Sequence, residues 1–248
     1  MAQYDTAQEV INAAATECGL DGSTDPFASS APAYVGQLRS LLSQCGRELA
    51  TVYQWQEFTK THTISTGAVP VANGQYALPS DFGYMINQTG WTPTGLGLGL
   101  PIAGPLSEQI WQSVVNTNQA SSTIYLSFKL ADRVLQFLPA PAPPNINIVF
   151  SYQSKGWVLV NGGPTTADRV ANNSDVLLFD AILISKMLAA RYKQAKGLDA
   201  NSSLEQFQAM YAAISGINSP APVLTLARAS RFPFLNPWIN LPQSGYGS

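Results

Sequence analysis

Helical periodicity at both ends of the chain, lost over the hundred or so residues between, constrains this sequence more than any other feature. Between Ala33 and Phe58, Tyr34, Leu38, Leu41, Leu42, Cys45, Leu49 and Val52 recur at helical spacing, and Trp55 and Phe58 prolong the stripe. A long helix with one apolar face must bury it against another element. The segment from Asp5 to Cys18 is a shorter helix of the same kind. Thr6 and Glu9 are spaced as a capping box, and Gly19 stands past its end. Helical spacing returns after Asn173. Ser174 is the expected N-cap, and Leu177, Leu178, Ala181, Ile182, Ile184, Ser185, Leu188 and Tyr192 give a broad face before Gly197. A fourth helix is expected from Asn201 or Ser202 to Gly216, on Leu204, Phe207, Met210, Tyr211 and Ile214.

The middle of the chain reads as short strands broken by Gly and Pro: 62–64, 69–71, 75–78, 85–91, 124–130, 134–138 and 146–152. Ser107 to Val115 is a short helix or turn, and Gly95 to Gly104 a Gly/Leu loop. Trp91, Trp111 and Trp157 are expected to share the core of this β part, because large rings are seldom left in water. The expected fold class is α+β. Helices 1–2 (residues 1–59) and helices 3–4 (161–217) pair into a four-helix bundle, a β-rich domain (60–160) is inserted between them, and an extended arm (218–248) follows.

Charge is scarce. Only 11% of residues are charged and the formal net charge is −2. That near balance excludes disorder driven by charge and the basic surface of a dedicated nucleic-acid binder. Neutral polar surface is cheaper to desolvate than charged surface, which suits a subunit packed against neighbours. Two cysteines, Cys18 and Cys45, do not make a disulfide framework and read as small core hydrophobes. A start carrying Asp5 and Glu9 without a basic region is not a signal peptide. The apolar run 176–184, broken by Asp180, is too short to span a bilayer. Synthesis in a reducing cytoplasm, with no membrane partner, is the expectation.

No constellation for chemistry stands out, so no enzyme activity, cofactor or metal is expected. Gly95-Leu96-Gly97-Leu98-Gly99 lacks the third glycine and the preceding strand of a dinucleotide loop. His62 has no partner for general base work and reads as a packing histidine. Asp132–Arg133 and Asp168–Arg169 read as surface pairs. Asp180 falls inside an apolar helix, either exposed on its outer face or paired with Lys186 or another base. Charge is uneven: Asp5, Glu9, Glu17, Asp21 and Asp25 come first, while Lys186, Arg191, Lys193, Lys196, Arg228 and Arg231 come late. Opposite ends of opposite sign favour head-to-tail contact between copies.

From Ser219 onward, Pro220, Pro222, Pro233, Pro237 and Pro242 preclude a helix or a central strand. Yet this stretch carries Phe232, Phe234, Leu235, Trp238, Ile239 and Leu241, which disordered tails lack. Arg228, Arg231, Phe232, Phe234, Leu235, Trp238 and Ile239 are therefore candidate partner-binding residues. The partner is another subunit, with the chain's own domain as the alternative.

Five motifs carry a resemblance: Trp55-Gln-Glu-Phe58, Leu78-Pro79-Ser80-Asp81-Phe82, Ile86-Asn-Gln-Thr89-Gly-Trp91, Gly104-Pro105-Leu-Ser107-Glu-Gln109-Ile-Trp111 and Phe150-Ser-Tyr152-Gln-Ser154-Lys155-Gly-Trp157. Their order and spacing, over residues 50–197, resemble the head-to-tail adaptors of tailed phages, including tail tubular protein A and related connectors. The resemblance implies a structural virion protein at the head-tail junction. It implies a ring of about twelve copies between portal and tail or nozzle proteins, with double-stranded DNA passing through without tight binding. Apart from the resemblance, Pro79 sets a turn whose Asp81 is expected to cap backbone N–H groups. The competing class is a carbohydrate- or receptor-binding β module, with Tyr84, Trp91 and Trp111 stacking on sugars.

Overall fold

A computed structural model describes residues 4–67, 70, 72, 74–94, 100–116, 126–138 and 146–218. The chain is mixed α+β. Helices α1 (Ala7–Glu17) and α2 (Ala33–Val52) come first. Strands β1 (Thr59–Ser65), β2 (Gln75–Ala77), β3 (Phe82–Met85), β4 (Trp91–Thr94) and β5 (Leu100–Pro101) follow, then helix α3 (Glu108–Asn116). Strands β6 (Ser127–Ala131), β7 (Val134–Leu138), β8 (Asn147–Ser154), β9 (Val158–Leu159), β10 (Thr166–Ala167) and β11 (Val176–Leu177) lead to α4 (Ala181–Ala195) and α5 (Asn201–Asn218).

Among the described residues the strands form three antiparallel sheets. Strand β8 is the spine of the largest, pairing β1 along its whole length on one edge, and β3 and β4 in succession on the other. Its alternation puts Ile148, Phe150 and Tyr152 on one buried face. Strands β6 and β7 form a hairpin whose two turn residues, Asp132 and Arg133, both have positive φ (49° and 60°). This is the backbone of a primed turn, adopted here without glycine. Strand β2 extends that hairpin, and β10-β9-β11 make the third, smaller sheet.

Buried residues gather in two clusters. One joins the helices to the segment 157–179: Ile11, Leu38, Leu42, Trp55, Phe58, Trp157, Phe179, Leu183 and Leu188 all belong to it. The other is formed by strands and adjoining loops, with Phe128, Leu135, Phe137, Ile148 and Phe150 at its centre. Helix α4 packs against α1, α2 and α5, which is why its buried residues lie all round it rather than in one stripe.

Four expectations change. Helix α2 ends at Val52, because Tyr53 turns extended (φ −138°, ψ 150°) and the Trp55 indole folds back to donate to Leu49 O at 2.8 Å. Trp55 and Phe58 join the apolar stripe from a turn, so the stripe outlasts the helix. Residues 158–177 hold three short strands where a loop and a helix start were expected. Helix α4 starts not at Ser174 but after Asp180, whose Oδ1 accepts from Ile182 N and Leu183 N at 3.1 and 3.2 Å. Asp180 is therefore an N-cap, and Lys186 pairs instead with Glu17. Trp157 belongs to the helix-side cluster, fully buried, while Trp91 is half-buried on β4 and Trp111 is buried on α3. Residues 95–99, 124–125, Val69 and Val71 lie outside the described residues.

The cap predicts a measurable effect. Asp180→Ala is expected to lower stability by about 1 kcal/mol. For a chain of this size that is a drop of roughly 2–4 °C in melting temperature, read by circular dichroism at 222 nm. An unchanged melting temperature would show that the cap contributes nothing.

Candidate partner interface

Much of the charge asymmetry among the described residues is engaged within the chain. Glu9 closes the capping box of α1 with Thr6. Glu17 receives Ser203 Oγ at 2.8 Å and lies 3.1 Å from Lys186 Nζ and 3.9 Å from Lys193 Nζ. Asp25 accepts from Asn173 Nδ2 and from Phe27 N. Arg191 Nη2 donates to both carboxylate oxygens of Glu48, at 2.6 and 2.8 Å. The acids of the N-terminal segment and the bases of α4 thus pin α1, α2, α4 and α5 together. Among the described residues these groups face one another rather than forming two free surfaces of opposite sign.

The turn at Leu78–Phe82 also differs from expectation. Phe82 N donates to Pro79 O at 3.0 Å, as a Pro-set turn requires. The Asp81 carboxylate, however, binds side chains. It accepts from Lys60 Nζ at 2.7 Å, Ser154 Oγ at 2.9 Å and Tyr152 OH at 3.0 Å. Burial alone would push its pKa up, but these donors outweigh it and hold it below the ordinary aspartate value. Burial, and then the facing Asp81 carboxylate, push the Tyr152 hydroxyl up to about 12. The network locks β1, the turn before β3, and β8 together.

The other reactive side chains are held in packing roles. His62 lies edge-on to Phe150 at 5.6 Å, and burial lowers its pKa. Burial pushes the Cys45 thiol up to about 12, which keeps it from acting as a nucleophile near neutral pH. Among the described residues no three His, Cys, Asp or Glu side chains gather as a metal site would need. Of the aromatics considered for sugar stacking, Tyr84 is exposed, but Trp111 is buried with Lys129 Nζ 5.2 Å from its ring centroid.

Two concave surfaces stand out among the described residues. A groove of about 340 Å³ runs between α2, α4 and α5, floored by Leu49, Met187 and Leu204 and walled by Val52, Phe207 and Tyr211. The Glu48–Arg191 pair sits on its rim. Val52, at the end of α2, is 64% exposed. A second cleft, of about 310 Å³, lies between α2 and the β3–β8 edge, with Arg47, Tyr84, Lys155 and Asp168 at its sides. The sequence did not single out either surface, because each is assembled from segments far apart in the chain. Arg228, Arg231, Phe232, Phe234, Leu235, Trp238 and Ile239 lie outside the described residues.

The family model for SU10 adaptor protein matches residues 5–231. The chain belongs to the SU10 adaptor protein family. This is a family of phage head-tail adaptors, so the resemblance drawn from the motifs between Trp55 and Trp157 holds. The match extends it to α1 and, at the far end, to Arg228 and Arg231, stopping one residue before Phe232. No curated protein matches the chain. As an SU10 adaptor the protein is a structural phage component located in the virion, acting against other head and tail proteins. Among the described residues no helix is long and apolar enough to cross a membrane.

Proposed function

We propose that this SU10 adaptor closes into a ring of about twelve copies between the portal and the tail, with double-stranded DNA passing through the lumen. The observation that carries this reading is the family match over residues 5–231, which includes both helical ends and the β segment. Identical subunits joined head to tail close into a ring when the rotation between them divides a circle. A chain only 11% charged can bury two such faces at low desolvation cost. In this reading helices α1, α2, α4 and α5 form a four-helix bundle that faces the portal. The β segment, residues 60–160, adds the tail or nozzle contacts. The arm from residue 218, with Arg228, Arg231, Phe232, Phe234, Leu235, Trp238 and Ile239, fastens onto the portal or a neighbouring subunit.

A reconstruction of the portal vertex tests this. A closed ring of this chain beneath the portal is expected, and isolated monomers or trimeric spikes would overturn the reading. The lumen is expected to hold DNA weakly, because the net charge is −2 and tight phosphate neutralisation would impede a moving duplex. Filter binding at physiological salt should show no tight complex. A tight complex with a steep salt slope contradicts the expectation.

A further inference from the structure

The two hydrophobic clusters meet across a seam of polar groups. We propose that this seam is a hinge: the part built on strands β1–β8 turns against the helix-side part, opening and closing the cleft between Thr51 and Tyr84, with Lys60 as the bolt that holds it. Such a hinge belongs to the single subunit and stands whether or not a ring forms.

The seam lies where the chain crosses between clusters. Phe58 belongs to the helix-side cluster and Ile64 to the strand-side one, and the chain returns between Tyr152 and Trp157. Elsewhere helices pack chiefly on helices and strands on strands. Gln153 and Ser154 sit in the second crossing, 1% and 2% exposed although both are polar. Gln153 Nε2 donates to Trp55 O at 2.9 Å, and Thr59 Oγ1 donates to Gln153 Oε1 at 3.3 Å. Ser154 Oγ donates to Asp81 Oδ2 at 2.9 Å and accepts from Gly156 N at 3.0 Å. The buried side chains of the crossing are thus satisfied by hydrogen bonds. Polar groups that part can bond to water instead, which apolar side chains cannot, so a polar seam opens more readily than a shared core.

On one side the seam is already open. The cleft of about 310 Å³ has Arg47, Thr51 and Asp168 on its helix side and Gly83 and Tyr84 on its strand side. The Lys60 side chain bridges the two parts. Its Nζ donates to Asp81 Oδ2, in the turn before β3, at 2.7 Å and to Thr166 Oγ1, on β10, at 3.0 Å. Strand β10 pairs with β9, whose Val158 is buried in the helix-side cluster. One ammonium therefore ties a strand-side carboxylate to a helix-side hydroxyl. A hinge needs few chain crossings to absorb the turn and a contact that can be made and broken, and both are present here.

Double electron–electron resonance tests the hinge. Spin labels are attached through p-acetylphenylalanine in place of Thr51 and Tyr84 in the full-length chain, which leaves Cys18 and Cys45 untouched. A control pair replaces Ser40 and Gln208, exposed on α2 and α5 within the helix-side part. With the seam intact, one narrow 51–84 distance is expected. Lys60→Met and Thr166→Val, each confirmed as folded by circular dichroism, should spread that distance upward by more than about 2 Å and leave the 40–208 distance unchanged. Thr166→Val removes only the bond across the seam, so it decides the matter if Lys60→Met does not fold. An unchanged 51–84 distance in a folded Thr166→Val chain overturns the hinge. So does a spread of both pairs, which is general loosening, or a broad 51–84 distance before any seam substitution. Failure of both variants to fold would mean that the seam belongs to one indivisible core, and overturns it as well.

Discussion

Asp175→Ala is expected to destabilise the protein by about 3 kcal/mol, seen as a lower midpoint in urea with the slope unchanged. Asp175 is only 1% exposed, in a loop rather than a helix. Its carboxylate accepts from the backbone N–H of Ala171 at 2.7 Å, Asn172 at 2.8 Å and Asn161 at 3.0 Å. Removing it leaves three partly buried donors without their acceptor, each costing about 1 kcal/mol, the low end of the penalty for an unsatisfied group. The same residue's carbonyl accepts Ala7 N at 2.7 Å, while Asn173 O takes Gln8 N and Asp5 O takes Leu177 N. The first turn of α1 is thus docked onto the Asp175 loop. Amide exchange at Ala7 and Gln8 should speed up in the variant well before exchange at the α4 core. Burial alone would raise the Asp175 pKa, but the backbone donors outweigh it and hold the pKa below the ordinary value. Its stabilisation is therefore complete above about pH 4 and is lost as pH falls through the lower native value. Wild type and variant should converge in stability under strong acid. A difference that persists there would mean that the carboxylate charge is not what the loop requires.

How much of this was legible in the sequence depends on how far apart the interacting residues stand. Strand β7 fell on residues 134–138 as read, and the capping box of α1 formed as spaced, because each signal lies within a few residues. The start of α4 was misplaced by local signals that were individually sound. Ser174 and Asp175 look like a cap and a first-turn acid, and the apolar residues after them suit a helix. The competing pairing of Val176 and Leu177 with Leu159 and Val158 comes from elsewhere in the chain. Trp157 is expected in the β core only on the general ground that large rings are seldom left in water. It crosses to the helix-side cluster because the chain leaves β8 at Ser154 and turns under α2. The α2–α4–α5 groove had no signal at all, since its residues are ordinary members of three helical stripes. The candidate residues of the arm could be chosen only from composition, as large apolar groups among prolines.

The contact between Trp157 and α2 gives the second large effect. Gly46 sits inside α2, where glycine costs about 1 kcal/mol relative to alanine. On propensity alone Gly46→Ala should stabilise the protein. A Cβ built there would lie only 2.3 Å from Cη2 and Cζ2 of the Trp157 indole. The indole is fully buried and held by Nε1 donating to Asp168 O at 3.0 Å, so it has little freedom to withdraw. Overpacking of a closed core costs about 1–3 kcal/mol, more where no flexible side chain can yield. Gly46→Ala is therefore expected to destabilise by about 2 kcal/mol net. Trp157→Ala alone should cost about 3–5 kcal/mol through the lost indole and the cavity left behind. The double variant decides the cause. With the indole gone the methyl group has room, and the helix preference of alanine is released. Adding Gly46→Ala to Trp157→Ala should then be neutral or stabilising by up to about 1 kcal/mol, a change of sign rather than of size. Equal destabilisation in both backgrounds would mean that Gly46 is required by the backbone of α2 itself. Sign reversal would show that the glycine exists to let the indole lie against the helix, joining the start of the chain to residues more than a hundred positions later.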